Sequence, residues 1–174
     1  MSVVAVTATG VFQRRKGKLT NSLLDLHNRL ATLPGVEAIH CKHTDNAQTV
    51  ANRIAHEIDA TNVFVTGHSA GGGFCCDLSA DLDEFGVSVD GMVLADPFHL
   101  GGVFVPSNVL RLWTYRKKHK HVIDGWDIQL ASEDIAEGTA WVIDDRDVSE
   151  KHWKIDEYAV QQGVLWRLVQ EALA

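Results

Sequence analysis

The 174-residue chain reads as an α/β protein with a mostly parallel central sheet of about six strands and helices on both faces. Three observations predict this. Short β-branched, apolar runs alternate with longer stretches whose apolar residues recur every three or four positions. The runs are spaced widely enough for helical crossovers, which parallel strands require and hairpins do not. No repeat, low-complexity tract or Pro/Gly-rich linker interrupts the pattern, so residues 1–174 read as one compact domain without a cap.

The first strand is expected over Ser2 to Thr7, followed by a loop with Gly10 and the basic residues Arg14, Arg15, Lys16 and Lys18. Leu19, Leu23, Leu26, Leu30 and Leu33 form an apolar stripe at helical spacing, which Pro34-Gly35 ends. Val36 to His40 is the next strand. A helix with Ala47, Val50, Ala51, Ile54 and Ile58 inward follows, capped by Asp45 or Asn46. Val63 to Thr66 is a strand, and the helix beyond it carries Phe74, Leu78, Leu82 and Phe85, with Gly86 as its stop. Strands are expected at Val89 to Ala95, Val109 to Tyr115 and Ala140 to Ile143, and a closing helix at Ile155 to Leu173, which Gly163 weakens. The polar stretch from Arg116 to Gly138 has no clear period.

Composition narrows the function class. The chain is 45% hydrophobic and 22% charged with a formal net charge of −7, which argues against a general nucleic-acid or anionic-membrane binder. No apolar run approaches the ~18 residues that a bilayer span needs, so stable membrane insertion is not expected. The N-terminus lacks a basic segment ahead of a long apolar one and reads as a strand rather than a signal peptide. Three cysteines, Cys41, Cys75 and Cys76, make a poor disulfide framework and suit a reducing cytoplasm.

The residues Gly67-His68-Ser69-Ala70-Gly71-Gly72-Gly73 carry the chemistry. They form a G-x-S-x-G pentapeptide between a β-type run and a helix-type run. A sharp strand-to-helix bend presents the serine hydroxyl, and the flanking glycines permit strained backbone and close packing. The first amides of the helix point at any oxyanion formed there. Composition alone would place such a pentapeptide in about one chain in twenty of this kind. Its setting is what gives it weight.

Downstream, Asp96 ends a strand in Leu94-Ala95-Asp96-Pro97, and His152 lies between the last strand and the last helix. Strand, serine turn, helix, acid and histidine in this order resemble the α/β-hydrolase superfamily, in its small esterase- and lipase-like members. The resemblance implies a Ser69–His152–Asp96 triad and an oxyanion hole built from the Ala70 amide. The second donor would come from the loop after Gly10, at Val11 or Phe12. The Asp96-Pro97 turn is similar to the acid turn of pancreatic-type lipases. In cutinase-like members such a turn is not the acid, which leaves Asp124 and Asp127 as alternatives. Asp144, Asp145 and Asp147 lie nearer His152 in sequence and read as turn or capping residues. His68 reads as a packing or hydrogen-bonding residue, and His99 is the reserve base.

Other signals are weaker. The segment from Gly10 to Thr20 lacks the glycine spacing and the Lys-Ser/Thr pair of a phosphate loop. His40-Cys41-Lys42-His43 has metal-ligand types but no second pair at zinc spacing. The basic run from Arg116 to His121 reads as a solvated strand exit, and the five tryptophans as core or pocket wall. Phe98 to Pro106, apolar and glycine-rich, reads as a pocket rim.

The sequence therefore predicts a serine hydrolase for a small carboxylic ester or thioester, with no cofactor or metal and a site open to solvent. Acyl transfer by the same triad and a non-catalytic binding module on the same fold are the alternatives.

Overall fold

The computed structural model describes residues 2–10, 22–100, 102–116, 128–130, 141–147 and 159–174. In chain order the elements are β1 (Ser2–Thr9), α1 (Ser22–Leu30), β2 (Val36–Lys42), α2 (Ala47–Glu57), β3 (Ala60–His68) and α3 (Ala70–Glu84). They continue with β4 (Gly91–Ala95), β5 (Val103–Val105), β6 (Arg111–Arg116), β7 (Ile128–Leu130), β8 (Trp141–Asp147) and α4 (Ala159–Leu173). Six strands form one sheet in the order β2-β1-β3-β4-β6-β8, and every pairing in it is parallel.

The central strands β1, β3 and β4 are buried on both faces, which is why they read as continuous apolar runs. Successive side chains point to opposite faces. Val4, Val6, Ala8, Val63, Val65, Met92, Leu94 and Leu112 pack with Ala51 and Ile54 of α2 and Phe74, Leu78 and Leu82 of α3. Val3, Ala5, Phe64, Val93, Ala95, Trp113 and Tyr115 pack on the other side with Leu26 and Leu30 of α1 and Leu165, Leu168 and Val169 of α4. Thr66 stands among the apolar residues because its hydroxyl donates to the Val93 carbonyl at 2.8 Å.

The helix ends follow local chemistry. Asn46, one of the two expected caps, accepts from the Thr49 amide at 2.9 Å and starts α2. Asp45 instead accepts from the Lys42 amide at 2.8 Å, closing the turn before it. Gly86, at φ 70°, closes α3, with its own amide bonded to Asp83 O and that of Val87 to Leu82 O.

The strands differ from expectation mainly at their ends. β1, β2 and β3 run to Thr9, Lys42 and His68, two residues beyond the sequence reading in each case. β4 begins at Gly91, and Val89 makes only an isolated bridge to Val109. The helix expected to end at Pro34 stops at Leu30, with Leu33 packed just beyond it. Phe98 to Pro106 is not wholly a rim: Val103 and Val105 are buried against α3, and β5 pairs with β7 in a second, two-stranded sheet. Among the described residues no helix is long and apolar enough to cross a membrane.

At the edge of the main sheet, the Thr7 hydroxyl lies 2.9 Å from His40 Nδ1, and the His40 ring meets the His27 ring of α1 at 5.5 Å. Burial holds both imidazoles below the usual histidine range. The His27 ring and Lys42 push His40 further down, against Asp45, which raises it. A histidine with a depressed folded pKa binds protons less readily than in the unfolded chain, so acid favours unfolding. The native state should therefore lose stability as pH falls below about 6.5. His27→Phe should shrink the difference between urea midpoints at about pH 7 and about pH 5; an unchanged difference refutes this account.

Candidate active site

The strand order places the site. β1 leads through α1 to β2 on one side, and β3, on the other side of β1, leads into α3. These two helices lie on opposite faces of the sheet. The carboxyl ends of β1 and β3 thus flank the switch point of the sheet, where open α/β folds bind their ligands. Gly10 follows β1 there and Ser69 follows β3.

Ser69 sits at φ 55°, ψ −130°, a backbone conformation that non-glycine residues rarely adopt and that costs about 1–3 kcal/mol. It occupies the N-cap position of α3, but its side chain does not cap the helix. Backbone bonds to neighbouring elements hold it. Its amide donates to Ala95 O at 3.0 Å, and its carbonyl accepts from Gly72 at 2.8 Å and Phe98 at 2.9 Å. The serine retains 4% exposure, less than a site open to solvent would give.

The glycines work by close approach. A Cβ on Gly67 would lie 2.3 Å from Gly71 O, and one on Gly71 would lie 2.2 Å from Ala8 O of β1. The bend is therefore packed backbone on backbone against both β1 and itself. A Cβ on Gly10 would lie 2.9 Å from Ser69 Cβ and 3.2 Å from the Ala70 nitrogen. The end of β1 thus runs beside the serine and the first amide of α3, one of the amides that helix geometry leaves without an intrahelical acceptor. The loop after Gly10 is implied by the family resemblance alone, and the approach of Gly10 itself has no local sequence signal.

Asp96 directly follows β4, the strand next to β3, and is 1% exposed with φ 42°. Its amide donates to Tyr115 O of β6 at 2.6 Å. His68 is buried within the sheet, as expected of a packing residue. His99, the reserve base, lies against Gly73 of α3, with Nε2 3.4 Å from Asp77 Oδ2 and Nδ1 2.9 Å from Leu100 O. The structure brings Ser69, Ala70, Gly10 and the Asp96 turn together. His152, Val11, Phe12, Asp124 and Asp127 lie outside the described residues.

All three cysteines are free and buried. Burial pushes the Cys41 thiol up to about 12 and the Cys75 and Cys76 thiols well above their usual range. Buried thiols held in the protonated form are poor nucleophiles. His40 and Cys41 project to opposite faces of the sheet, which splits the candidate metal cluster, and among the described residues no group of three or more His, Cys, Asp or Glu is placed to hold a metal ion.

No protein-family model matches the chain, and no curated protein matches it by sequence. Solved structures do match it. An acetyl xylan esterase, determined as an iodinated complex, superposes with a TM-score of 0.52 at 13% identity, over 96% of this chain and 97% of that one. ClbQ from the colibactin NRPS/PKS pathway superposes with a TM-score of 0.52 at 9% identity, over 97% and 96%.

The chain has the α/β-hydrolase fold. The steric limits at the glycines of the serine turn set a testable asymmetry. Gly71→Ala should cost at least about 3 kcal/mol or abolish folding, because its Cβ would meet rigid strand backbone. Gly163→Ala, exposed in α4 with nothing within 4 Å, should stabilise by about 0.5–1 kcal/mol. Urea unfolding of the two variants checks both; equal midpoints would contradict the packing argument.

Proposed function

We propose that this protein is a serine hydrolase that cleaves a carboxylic ester or thioester through an acyl-enzyme. The observation that carries the proposal is the backbone of Ser69, held in a strained elbow at the sheet's switch point beside the amide of Ala70. Strain of this kind is costly and needs a surrounding structure that over-determines it. The likeness in fold to a protein named an acetyl xylan esterase supports an ester as substrate.

In the proposed mechanism Ser69 Oγ attacks the acyl carbon while His152 takes its proton. The carbonyl π electrons move onto oxygen, and the Ala70 amide with that of Val11 or Phe12 receives the oxyanion. Collapse of the tetrahedral intermediate expels the alcohol or thiol, which takes the proton from His152. Water then repeats the sequence on the acyl-enzyme and releases the acid. A buried carboxylate orients His152 and stabilises the imidazolium.

Asp96 is the first assignment for that carboxylate, supported by its burial at the end of the strand beside the elbow. One observation favours the alternative. β6 lies between β4 and β8, so the chain leaving β6 towards Asp124 and Asp127 starts one strand nearer to the end of β8, from which the chain runs to His152. Acyl transfer uses the same residues and differs only in the acceptor. A cytoplasmic setting agrees with three reduced, buried cysteines.

A fluorophosphonate probe tests the nucleophile. The native protein should be labelled and Ser69→Ala should not; equal labelling sinks the proposal and favours a binding module. For p-nitrophenyl acetate, turnover should rise through a histidine-like pKa and vanish in His152→Ala. Among Asp96→Asn, Asp124→Asn and Asp127→Asn, the true acid should show a kcat reduced by about 10⁴ and the others no more than a few-fold change.

A further inference from the structure

The Ala95–His99 turn does more than carry Asp96. Its backbone supplies two hydrogen bonds to Ser69: Ala95 O accepts from the Ser69 amide, and the Phe98 amide donates to the Ser69 carbonyl. The first bond fixes the peptide entering the strained residue and the second fixes the peptide leaving it. The nucleophile's φ and ψ are thus set from the neighbouring strand's exit, not by α3 alone.

That turn is fastened to α3 by features outside the G-x-S-x-G motif. Gly72 and Gly73 have no side chains, and the turn occupies the space where those would be. A Cβ on Gly72 would lie 2.6 Å from Pro97 Cβ, and one on Gly73 would lie 2.6 Å from Phe98 O and 3.0 Å from His99 Cδ2. One turn further along α3, Asp77 Oδ2 meets His99 Nε2 at 3.4 Å. The second ring nitrogen of His99 faces the Leu100 carbonyl at 2.9 Å. His99 therefore bridges the turn to the helix that follows Ser69.

From this geometry we infer that Asp77, His99 and Gly73 are positioning residues: they latch the Ala95–His99 turn onto α3 and thereby keep Ser69 in its reactive conformation. The catalytic part of the inference rests on the serine-hydrolase reading; the latch itself does not. The Asp77–His99 pair is half-exposed, with side chains 53% and 43% accessible, so it adds little to global stability. Its effect is local. Loosening it frees the turn to move away from Ser69, and the strain of the elbow favours that release.

The test compares Asp77→Ala and Gly73→Ala with the wild type. Three quantities are measured: amide hydrogen exchange at Ser69 and Phe98, the rate of fluorophosphonate labelling at Ser69, and the urea midpoint. In Asp77→Ala both amides should exchange about two- to fivefold faster and labelling should slow by a similar factor, while the urea midpoint and exchange at Val4 and Val6 stay unchanged. In Gly73→Ala, where the added Cβ displaces the turn, both effects should reach at least about tenfold. With an ester substrate the loss should fall on kcat and leave KM unaltered.

Unchanged exchange at Ser69 and Phe98 in Asp77→Ala overturns the latch. Faster exchange with unaltered labelling overturns its role in reactivity. If Gly73→Ala fails to fold, the surface variant Asp77→Ala decides alone. A wild-type protein that the probe never labels overturns the hydrolase reading, and the exchange measurement still decides whether the latch exists.

Discussion

The strained backbone of Ser69 is the constraint on which the rest of the site depends. A serine at φ 55°, ψ −130° persists only if neighbouring groups repay its cost, and here the repayment is backbone hydrogen bonding to two different elements. The Gly72 amide bonds from within α3, and Ala95 and Phe98 bond from the exit of β4. These bonds need β3 and β4 in register, from Phe64 opposite Gly91 to His68 opposite Ala95. Packing on the two buried faces holds that register, because a slip of one residue would move every side chain to the opposite layer, away from the helix residues it packs against.

The same geometry explains why so many glycines gather at this end of the sheet. Gly10, Gly67, Gly71, Gly72 and Gly73 each leave a space that backbone or a neighbouring residue fills. None of these five has a positive φ, so their role is proximity and not backbone freedom. Gly67 and Gly71 close the bend on itself and on β1. Gly10 brings the end of β1 beside the serine and the Ala70 amide. Gly72 and Gly73 receive the turn that follows β4. An α-helix begins within contact distance of two strand exits, and no side chain could be accommodated between them.

Much of the fold was legible in the sequence because its signals are local. The leucines of α1, the Asn46 cap, the Gly86 stop and the continuous apolar runs of β1, β3 and β4 are all written within a few residues of where they act. Strand ends were less legible. Thr9, Lys42 and His68 extend their strands because neighbours hydrogen-bond them, and polar residues at a strand's carboxyl end look the same in sequence whether paired or not. β5 was missed because three residues, Val103–Val105, are too short to show a period, and β7 because a three-residue strand gains its identity only from its partner.

By itself, the sequence determined that Ser69 stands on a bend between a strand and a helix, because glycine spacing and flanking periodicity are properties of neighbouring residues. It also determined that a parallel sheet is buried on both faces. Only the tertiary structure decided that the bend sits at the switch point between β1 and β3, that Gly10 lies against Ser69 and Ala70, and that the Ala95–His99 turn grips the serine from the next strand. These contacts join residues 26 to 60 positions apart in the chain. Strand order and close backbone approach create them, and neither leaves a mark in any single stretch of sequence.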